Sequence, residues 1–295
     1  MIFLEEEKVR SLLPMQELIP AMAEAMRDLS AGKVQQPLRQ IVSVTEHQGF
    51  FGVMPAYGGA LGAKLVTFFP NNQGLPTHHA IIALFHPETG EPLILMDGRL
   101  ITEMRTAAVS AVATDLLARR EVEVLAILGS GVQAQSHLEA LRIVRRFREV
   151  RVWSPRHAAR FAQQFGVKAT VSAEEAVRGA DVIVVATSAT TPILRGQWLS
   201  SGSHINAVGA TRPNWRELDD EVLRRARLYV ESREAASKES GDVIAAGTIF
   251  AELGEVLAGT KAGRQSDDEI TLYKSVGVAI EDLAAASLVY RRWME

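Results

Sequence analysis

The segment of the sequence best suited to cofactor chemistry is Gly129-Ser-Gly131-Val-Gln-Ala134, which directly follows the apolar run Val124–Leu128. The first glycine permits a tight turn, the second lets the backbone approach a pyrophosphate, and the alanine lets the next helix pack closely on the strand. The free N–H groups at the start of that helix would face the phosphates. A strand, a glycine turn and a helix in this order predict a dinucleotide site, and the alternative is a glycine turn that binds no ligand.

The end of the next strand-like run, Trp153-Ser154-Pro155-Arg156-His157, indicates which dinucleotide is preferred. Sites that prefer NAD usually carry an acid about 20 residues after the glycine turn, where it binds the ribose 2′-hydroxyl. Here no acid is present, and Ser154 with Arg156 suits a 2′-phosphate. We predict that NADPH is preferred and that NADH is possible. The alternative is that Arg156 only caps the solvated start of a helix.

Three basic residues in otherwise apolar or small surroundings could bind an acidic substrate: Arg39, Lys64 and Arg105. A buried cation needs a partner, and a substrate carboxylate would serve because arginine can bind it through two parallel hydrogen bonds. The alternatives are that these side chains are exposed or that they pair with Glu103 or Asp97. The pattern therefore leaves open both a small-molecule substrate site and a structural role.

Composition and charge exclude several other classes of function. The 295 residues contain no cysteine, which excludes disulfides, thiolate catalysis, and zinc–cysteine or iron–sulfur sites. The sequence has no His-Glu-x-x-His motif, so we predict no metal site. The net charge of −3 gives no reason to expect nucleic acid or a membrane as partner. Acids near the start argue against a signal peptide and no run reaches the ~18 apolar residues of a membrane span, so we expect a cytoplasmic protein.

The predicted helices and strands that must position these residues follow two different patterns along the chain. Up to residue 118, helical and strand patterns are mixed, as in an α+β fold. The predicted helices are Glu5–Leu13, Met15–Leu29 and Leu100–Arg119, and the predicted strands are Gln35–Val44, Phe50–Ala56, Ala63–Phe69, Ala80–Phe85 and Pro92–Met96. The small residues of Thr106–Thr114 would let the third helix lie close to other backbone, or would leave room for a ligand.

From Val122 onward, apolar strand-like runs alternate with helical stretches as far as His204–Val208. This alternation predicts a doubly wound parallel sheet with helices on both faces, which is an α/β fold. Phe250–Leu257 has the spacing of an amphipathic helix, and the polar stretch Lys261–Glu269 has the composition of a linker. A strand-like segment and the helix Val278–Tyr290 end the chain, and such a helix often crosses back to the first domain.

Longer runs of residues resemble one known family. They are Phe51-Gly-Val-Met-Pro-Ala-Tyr57, Lys64-Leu-Val-Thr-Phe68, Met96-Asp-Gly98, Arg105-Thr-Ala-Ala-Val-Ser-Ala111, Ile127-Leu-Gly-Ser-Gly-Val-Gln-Ala134, His204-Ile-Asn-Ala-Val-Gly-Ala210, Arg212-Pro-Asn-Trp-Arg-Glu-Leu-Asp219, Lys238-Glu-Ser-Gly-Asp-Val243, Phe250-Ala-Glu-Leu-Gly-Glu-Val256 and Lys274-Ser-Val-Gly277. In this order and over almost the whole chain, they resemble the ornithine cyclodeaminase/mu-crystallin family, and the mu-crystallin (ketimine reductase) branch most closely.

The resemblance implies a domain organisation and a set of site residues. It implies a Rossmann domain, residues 119–268, inserted into a substrate and dimerisation domain, residues 1–118 plus 269–295, and a homodimer joined through the substrate-domain sheets. It implies that Arg39, Lys64 and Arg105 hold the substrate carboxylate. The residues that it places along the dinucleotide are Gly129, Ser130, Gly131, Val132, Gln133, Ser154, Arg156, Thr187, Ser188 and Val208, with Thr77, Thr106 and Ser275 near the cofactor.

One departure from the family pattern bears on the reaction. Ornithine cyclodeaminases carry an aspartate after a valine-glycine-glycine turn, and here that catalytic position is Thr211. A second acid, expected just before Met54-Pro55, is replaced by Gly52. Neither residue ionises, so ornithine cyclisation loses its proton shuttle. The resemblance then implies an NAD(P)H-dependent reductase of cyclic ketimines such as Δ1-pyrroline-2-carboxylate or Δ1-piperideine-2-carboxylate. The alternatives are an alanine dehydrogenase or reductive aminase acting on 2-oxo acids, and an NADPH-dependent thyroid-hormone-binding protein.

Overall fold

The computed structural model describes residues 2–295 and divides the chain into two compact units. The first unit is Met1–Arg105 with Gly277–Glu295, and the second is Thr106–Val276. These bounds differ from the predicted boundaries after residues 118 and 268. The difference has a structural reason, because Ile270–Lys274 pairs with two strands of the second unit's sheet and because the second unit begins within a helix.

The first unit contains a six-stranded sheet that is antiparallel except at one edge. Its strands are β1 Phe3–Leu4, β2 Gln40–Val44, β3 Gly49–Tyr57, β4 Leu61–Phe68, β5 His78–Phe85 and β6 Pro92–Asp97, in the order β1-β6-β5-β4-β3-β2. Strand β2 begins at Gln40 rather than at the predicted Gln35, which forms an isolated bridge with Tyr57. The alternation of buried and more exposed residues along β4 gives the sheet one covered face and one open face.

Helices cover one face of this sheet. They are α1 Glu6–Leu12, α2 Met15–Ser30 and α11 Ala279–Met294. Leu18, Met22 and Leu283 are completely buried among them. Gly62 of β4 lies under α11, where a Cβ atom would come within 3.1 Å of Leu283. The covered face of β4 therefore carries Gly62, Lys64 and Val66, and α11 is the helix that meets Lys64.

The second unit contains an eight-stranded sheet in which every pairing is parallel. Its strands are β7 Val124–Leu128, β8 Glu149–Trp153, β9 Lys168–Ala169, β10 Val182–Val185, β11 His204–Ala207, β12 Ala226–Val230, β13 Ala251–Glu252 and β14 Ile270–Lys274. The strand order is β13-β12-β14-β11-β10-β7-β8-β9. From β7 the chain continues toward one edge of the sheet through β8 and β9, and from β10 it continues toward the other edge. This confirms the predicted doubly wound α/β fold and places its topological switch point between those two strands.

Helices connect these strands. They are α3 Arg99–Leu117, α4 Val132–Val144, α5 Ala158–Phe165, α6 Ala173–Val177, α7 Asp220–Arg225, α8 Arg233–Glu239, α9 Gly241–Ala246 and α10 Leu253–Leu257. The predicted helix Phe250–Leu257 is shorter, since Ala251 and Glu252 instead pair with β12. No helix within residues 2–295 is long and apolar enough to cross a membrane.

The small residues of α3 pack inside the second unit. Ala107, Ala108 and Ala111 are completely buried. The Nε2 atom of His137 lies 2.9 Å from the hydroxyl of Ser110, and the amide of Asn206 donates to the hydroxyl of Thr114 at 2.9 Å. These short polar contacts need a close approach, which the small side chains permit. Tight packing therefore accounts for this part of the small-residue pattern.

Candidate functional site

The structure brings the three candidate cations, Arg39, Lys64 and Arg105, together within the first unit. Lys64 is 2% exposed, and its Nζ lies 2.5 Å from Oδ2 of Asp282. The Nε of Arg105 donates to the other oxygen of Asp282 at 3.0 Å, and Arg105 also pairs with Glu281. Arg39 donates to the carbonyl of Gly277 at 2.7 Å, and Gly277 itself packs against the guanidinium of Arg105. We call Arg39, Lys64, Arg105, Glu281 and Asp282 the charged cluster.

The acids of the charged cluster were missed in the sequence. Glu103 and Asp97, which lie closer along the chain, bind Arg99 through its side chain and its backbone N–H respectively. Glu281 and Asp282 instead occupy the first turn of α11, where the helix dipole favours negative charge. Both are completely buried. The available signal was an acidic pair in the first turn of an otherwise apolar helix.

Burial and mutual charge shift the ionisation of this cluster. Burial lowers the pKa of Lys64 to about 8, although the negative charge of Asp282 opposes the shift. Burial alone would raise the pKa of Asp282, but the charges of Arg105 and Lys64 outweigh it and hold that pKa below its usual value. Burial also lowers the pKa of His78, at the start of β5, to about 4, with Lys64 adding to the effect. His78 is therefore a neutral imidazole at neutral pH.

The net charge of the charged cluster indicates which kind of ligand it can bind. Three cations and two carboxylates leave one positive charge when all five groups are ionised. Burying charge is costly unless it is paired, so one further anion would complete the set. A single carboxylate on a small molecule has the matching charge.

Thr77, which the resemblance placed near the cofactor, is exposed just before β5, and its carbonyl accepts from the N–H of Phe69 at 2.8 Å.

The glycine turn of the second unit lies at the switch point of its sheet. Gly129 has φ +121°, and a Cβ there would lie 2.2 Å from the carbonyl oxygen of Ala186 at the end of β10. Only glycine fits this position. Helix α4 begins at Val132, directly after Gly131, and among residues 2–295 no side chain caps its start. The first N–H groups of α4 are thus available to a phosphate.

Two observations test whether this turn can hold a dinucleotide. A Cβ built on Gly131 meets no atom of residues 2–295 within 4 Å, and a cavity of about 280 Å³ lies in front of it. The Oε1 atom of Gln133 is buried without a hydrogen-bond partner among the described residues. Open space and free N–H donors fit the pyrophosphate of a dinucleotide, and the unsatisfied acceptor of Gln133 fits a donor group of the same ligand, such as a ribose hydroxyl. The cavity is lined by Ser130, Gly131, Val132, Gln135, His157, Arg160, Phe161, Gln164 and Phe165.

Neither Ser154 nor Arg156, the residues expected to select the dinucleotide, lines this cavity, although Ser154 contacts a residue that does. Ser130 donates to the hydroxyl of Ser154 at 2.8 Å, so the glycine turn and the end of β8 are joined. Arg156 is exposed and does not line the cavity, whereas Arg160, four residues later, does. His157, whose N–H donates to Ser154, also lines it. A cation is therefore present at the cavity, but on the first turns of α5 rather than at Arg156.

Thr187 and Val208 follow the C-terminal ends of the neighbouring strands β10 and β11. Thr187 is held in place by the buried side chain of Glu217. Thr187 donates its N–H, at 3.0 Å, and its hydroxyl to Oε1 of Glu217. Gly209 passes directly beside Glu217, where a Cβ would lie 2.4 Å from both carboxyl oxygens. Ser188 follows Thr187 in this loop and is exposed. Glu217 thus ties together the loops after β10 and β11.

Glu217 belongs to a buried network that the sequence did not reveal. Lys274 is completely buried, donates to the carbonyl of Gly209, and lies 4.0 Å from Asp242. Burial raises the pKa of Glu217 to about 7, with the positive charge of Lys274 opposing the shift. Asp242 accepts the N–H of Glu217 at 3.1 Å. The network fixes both loops from within the second unit.

The three other predicted positions have different surroundings. Ser275 donates its hydroxyl to Glu231 at 2.7 Å and is buried, as is Thr106 in α3. Thr211 is half-buried and follows Ala210, whose φ of +50° is unusual for a residue with a Cβ. Within residues 2–295, no group of three or more potential ligands could hold a metal ion.

A glycine turn at the switch point of a parallel sheet is typical of dinucleotide-binding enzymes of the Rossmann class. The model of the ornithine cyclodeaminase/mu-crystallin family matches residues 1–295. The chain belongs to this family, which confirms the resemblance seen in the sequence motifs.

Three relatives show how close the similarity is. The chain is 51% identical to the ketimine reductase mu-crystallin of Mus musculus, over 99% of this chain and 97% of that protein. The structure of Thermococcus litoralis Δ(1)-pyrroline-2-carboxylate reductase in complex with NADH and L-proline superposes with a TM-score of 0.94, at 41% identity, over 100% of this chain and 98% of that one. An archaeal alanine dehydrogenase dimer with bound NAD also gives 0.94, at 38% identity, over 100% and 96% of the two chains.

Proposed function

We propose that the protein is an NAD(P)H-dependent reductase that converts cyclic ketimines, of the Δ1-pyrroline-2-carboxylate or Δ1-piperideine-2-carboxylate type, into cyclic L-amino acids. The observation that carries this proposal is the charged cluster, in which two buried cations, Lys64 and Arg105, and the half-buried Arg39 outnumber two buried carboxylates by one charge. The mouse relative is named a ketimine reductase, and the Thermococcus relative binds both NADH and L-proline, a cyclic amino acid.

The charged cluster would bind the carboxylate of the imino acid. Arg105 and Arg39 present planar guanidinium groups that can hold a carboxylate in a fixed orientation, and Lys64 adds a point charge. Holding the carboxylate also fixes the adjacent imine carbon, which reduces the orientational entropy that must be lost in the transition state. Arg105 is itself held by Glu281 and Asp282, so its guanidinium is oriented before a substrate arrives.

The second unit would bind the dinucleotide through Gly129, Ser130, Gly131, Val132 and Gln133. When bound, a reduced nicotinamide supplies the hydride for the imine carbon. The N–H groups at the start of α4 would take the pyrophosphate, and Gln133 has a buried acceptor to offer. NADPH is the proposed preference and NADH a possible second donor. Arg160 supports this preference, because it places a cation at the cavity where β8 ends.

The alternative reaction is reductive amination, in which the imine forms from a 2-oxo acid and ammonia. The similarity to an archaeal alanine dehydrogenase favours this candidate. Both reactions need the same carboxylate site, because pyruvate and a cyclic ketimine each carry one carboxylate beside the reacting carbon. The thyroid-hormone-binding alternative would retain the dinucleotide but would show no turnover. Ornithine cyclisation is not proposed, since Thr211 cannot exchange a proton at neutral pH.

We also propose a homodimer formed through the open face of the six-stranded sheet. Phe3, Leu65 and Ile81 lie on this face and are 48%, 38% and 42% exposed. Leu65 and Ile81 are paired across β4 and β5, so their side chains form one apolar patch. Apolar patches of this kind mark association surfaces, and the archaeal alanine dehydrogenase is described as a dimer.

Light scattering would test the dimer directly. Leu65→Arg should shift the mass in solution toward that of one chain, because it would bury unpaired charge in the interface. Val171→Arg is the matched control, since Val171 is 92% exposed and lies in the second unit. Monomeric parent protein, or a Leu65→Arg variant of unchanged mass, would contradict the proposed interface.

The reaction itself is tested by following NADPH and NADH oxidation with a panel of acceptors. The panel comprises Δ1-pyrroline-2-carboxylate, Δ1-piperideine-2-carboxylate, and pyruvate with and without ammonia. The proposal expects the highest kcat/KM with a cyclic ketimine. Faster turnover with pyruvate and ammonia would favour the alanine dehydrogenase alternative, and turnover with neither class would reject both enzyme proposals.

A further inference from the structure

We propose that Glu217 is the positioning residue for the nicotinamide half of the dinucleotide. Its carboxyl group holds the two loops that would take this half, and its ionised form favours the oxidised, positively charged nicotinamide over the reduced, neutral one. The inference rests on the proposed dinucleotide site and does not depend on which imine or 2-oxo acid is the substrate.

The strand order assigns the two halves of the dinucleotide to the two sides of the switch point. In doubly wound sheets, the ribose that carries the 2′-hydroxyl or 2′-phosphate of the adenosine half lies at the end of the strand after the glycine turn. That strand is β8, and Ser154 at its end accepts from Ser130 of the turn at 2.8 Å. The nicotinamide half would therefore extend over the carboxyl ends of β10 and β11, on the other side of the switch point.

Glu217 holds the loops that follow these two strands. Its Oε1 atom accepts the backbone N–H of Thr187 at 3.0 Å and also the Thr187 hydroxyl, whose oxygen in turn accepts the N–H of Ala189 at 3.1 Å. On the β11 side, a Cβ on Gly209 would lie 2.4 Å from both carboxyl oxygens and from the carbonyl oxygen of Thr187. These groups leave no free space between them, so a displaced carboxyl group would displace both loops.

The surroundings of Glu217 balance its negative charge only in part. The buried charged groups of this network are Lys274 on β14, Asp242 on α9 and Glu231 after β12, and the half-buried Arg216 lies 3.8 Å from Asp242. Even with Arg216 counted in full, three acids face two cations when all are ionised. The Oε2 atom of Glu217 is buried without a hydrogen-bond partner among the described residues. One more positive charge would balance the network, either a proton on Glu217 or a cationic ring above the loops.

Glu217 changes its protonation near neutral pH. Burial raises its pKa to about 7, and the charge of Asp242 adds to this shift, whereas Lys274 and the two hydrogen bonds from Thr187 oppose it. A nearby positive charge lowers the pKa of a carboxyl group, so by linkage the ionised carboxylate binds that charge more tightly. The oxidised cofactor should therefore bind more tightly as pH rises through 7. The reduced cofactor has a neutral ring and should not gain in this way.

The ratio of the dissociation constants of NADP⁺ and NADPH isolates the charge of the ring, because the two molecules share their phosphates. In the parent, this ratio should fall by about 3-fold or more between pH 6 and pH 8, since a pKa shift of one unit corresponds to at most about 10-fold. Glu217→Gln keeps an acceptor oxygen for Thr187 but has no charge to titrate, so its ratio should stay constant. A parent ratio that varies by less than about 1.5-fold, or an equal fall in Glu217→Gln, would overturn the role of the charge.

Calorimetry in two buffers of different ionisation enthalpy gives an independent reading, because it counts the protons released on binding. At pH 6.5, a pKa shift of one unit would release up to about half a proton more with NADP⁺ than with NADPH. This difference should vanish in Glu217→Gln. Asp181→Asn is the matched control, since Asp181 precedes β10 and accepts the N–H groups of Glu123 and Val124 at the opposite end of the sheet, at 2.7 and 2.9 Å. The control should keep the difference that the parent shows.

Glu217→Leu tests the hold on the two loops. It leaves the N–H and hydroxyl of Thr187 without their acceptor, so the dissociation constants of both forms should rise by about 10-fold or more, whereas Glu217→Gln should change that of NADPH by less than about 3-fold. Unchanged NADPH binding in Glu217→Leu would contradict the positioning role, and if this variant does not fold, the ratio in Glu217→Gln still decides the proposal. A parent that binds neither form would reject the dinucleotide site itself, whereas binding of both forms at a pH-independent ratio would reject only the role of Glu217.

Discussion

Removing the substrate's carboxylate is the perturbation that tests the charged cluster most directly. 1-Pyrroline is Δ1-pyrroline-2-carboxylate without the acid group, so the ring and the reacting bond are kept. Without the carboxylate, no ligand charge offsets the net positive charge of Arg39, Lys64 and Arg105 against Glu281 and Asp282. Leaving one partner of a buried, hydrogen-bonded charge pair alone costs about 2–5 kcal/mol.

The expected loss can be converted into a rate ratio and compared with a control change. At about 1.4 kcal/mol per factor of ten, kcat/KM for 1-pyrroline should be about 30- to 4000-fold lower. Changing the ring by one methylene, from the pyrroline to the piperideine carboxylate, is worth only about 1–3 kcal/mol. The acid group should therefore matter more than ring size. The assay is NADPH oxidation at saturating cofactor with each of the three imines.

Two variants localise the effect to the charged cluster. Arg105→Met reduces the charge of the cluster from +1 to zero, so the preference for the acid over 1-pyrroline should shrink. Arg99→Met is the matched control, because Arg99 lies on the same helix but pairs with Glu6 and Glu103 instead. The control should keep the full preference. Efficiencies on the two imines within about 3-fold of each other in the parent would refute the reasoning.

Other predictions address the second unit. Gly129→Ala should destabilise the protein by at least the ~1–2 kcal/mol of a left-handed backbone, whereas Gly131→Ala should leave the thermal midpoint nearly unchanged and weaken dinucleotide binding measured by fluorescence. Arg160→Ala should raise KM for NADPH but not for NADH, and a larger effect of Arg156→Ala would instead favour the prediction that Arg156 binds the 2′-phosphate. Glu217 binds its proton more tightly in the folded state, so its contribution to stability is complete below its unfolded pKa and is lost as pH rises toward about 7. When the midpoint of thermal unfolding is measured as a function of pH, Glu217→Gln should lack this loss of stability that the parent shows. Parallel curves of midpoint against pH for the two proteins would contradict the prediction.

The sequence was sufficient for the fold of the second unit because its signals are local. Val182–Val185 is a continuous apolar run, all four residues are buried, and such runs are typical of parallel strands covered on both faces. Gly129 stands between a strand and a helix, and its positive φ explains why glycine occurs there. The place of β14 between β11 and β12 was not readable, because strand order depends on pairings between distant segments. For that reason the boundary predicted after residue 268 precedes this strand, whereas the second compact unit extends to Val276.

The charged cluster could be anticipated only in part, for a similar reason. The cations were recognisable because each lies in an apolar or small neighbourhood, but their partners lie far along the chain: Arg105 and Glu281 are 176 positions apart. Sequence proximity suggested Glu103 and Asp97, which the structure assigns to Arg99. Likewise, Arg156 and Arg160 are four residues apart, and only the start of α5 determines which of them lines the cavity.

The two acids of α11 connect the stability of the first unit with its choice of substrate. The buried cations Lys64 and Arg105 would each carry a desolvation penalty of several kcal/mol without counter-charges, so the fold needs Glu281 and Asp282 before any ligand binds. A third acid would neutralise the cluster and remove its attraction for a carboxylate. Two acids against three cations satisfy both needs, because most of the charge is paired in the free protein and one charge is left for the ligand. Asp282, which contacts both Lys64 and Arg105, is the residue on which the two needs converge.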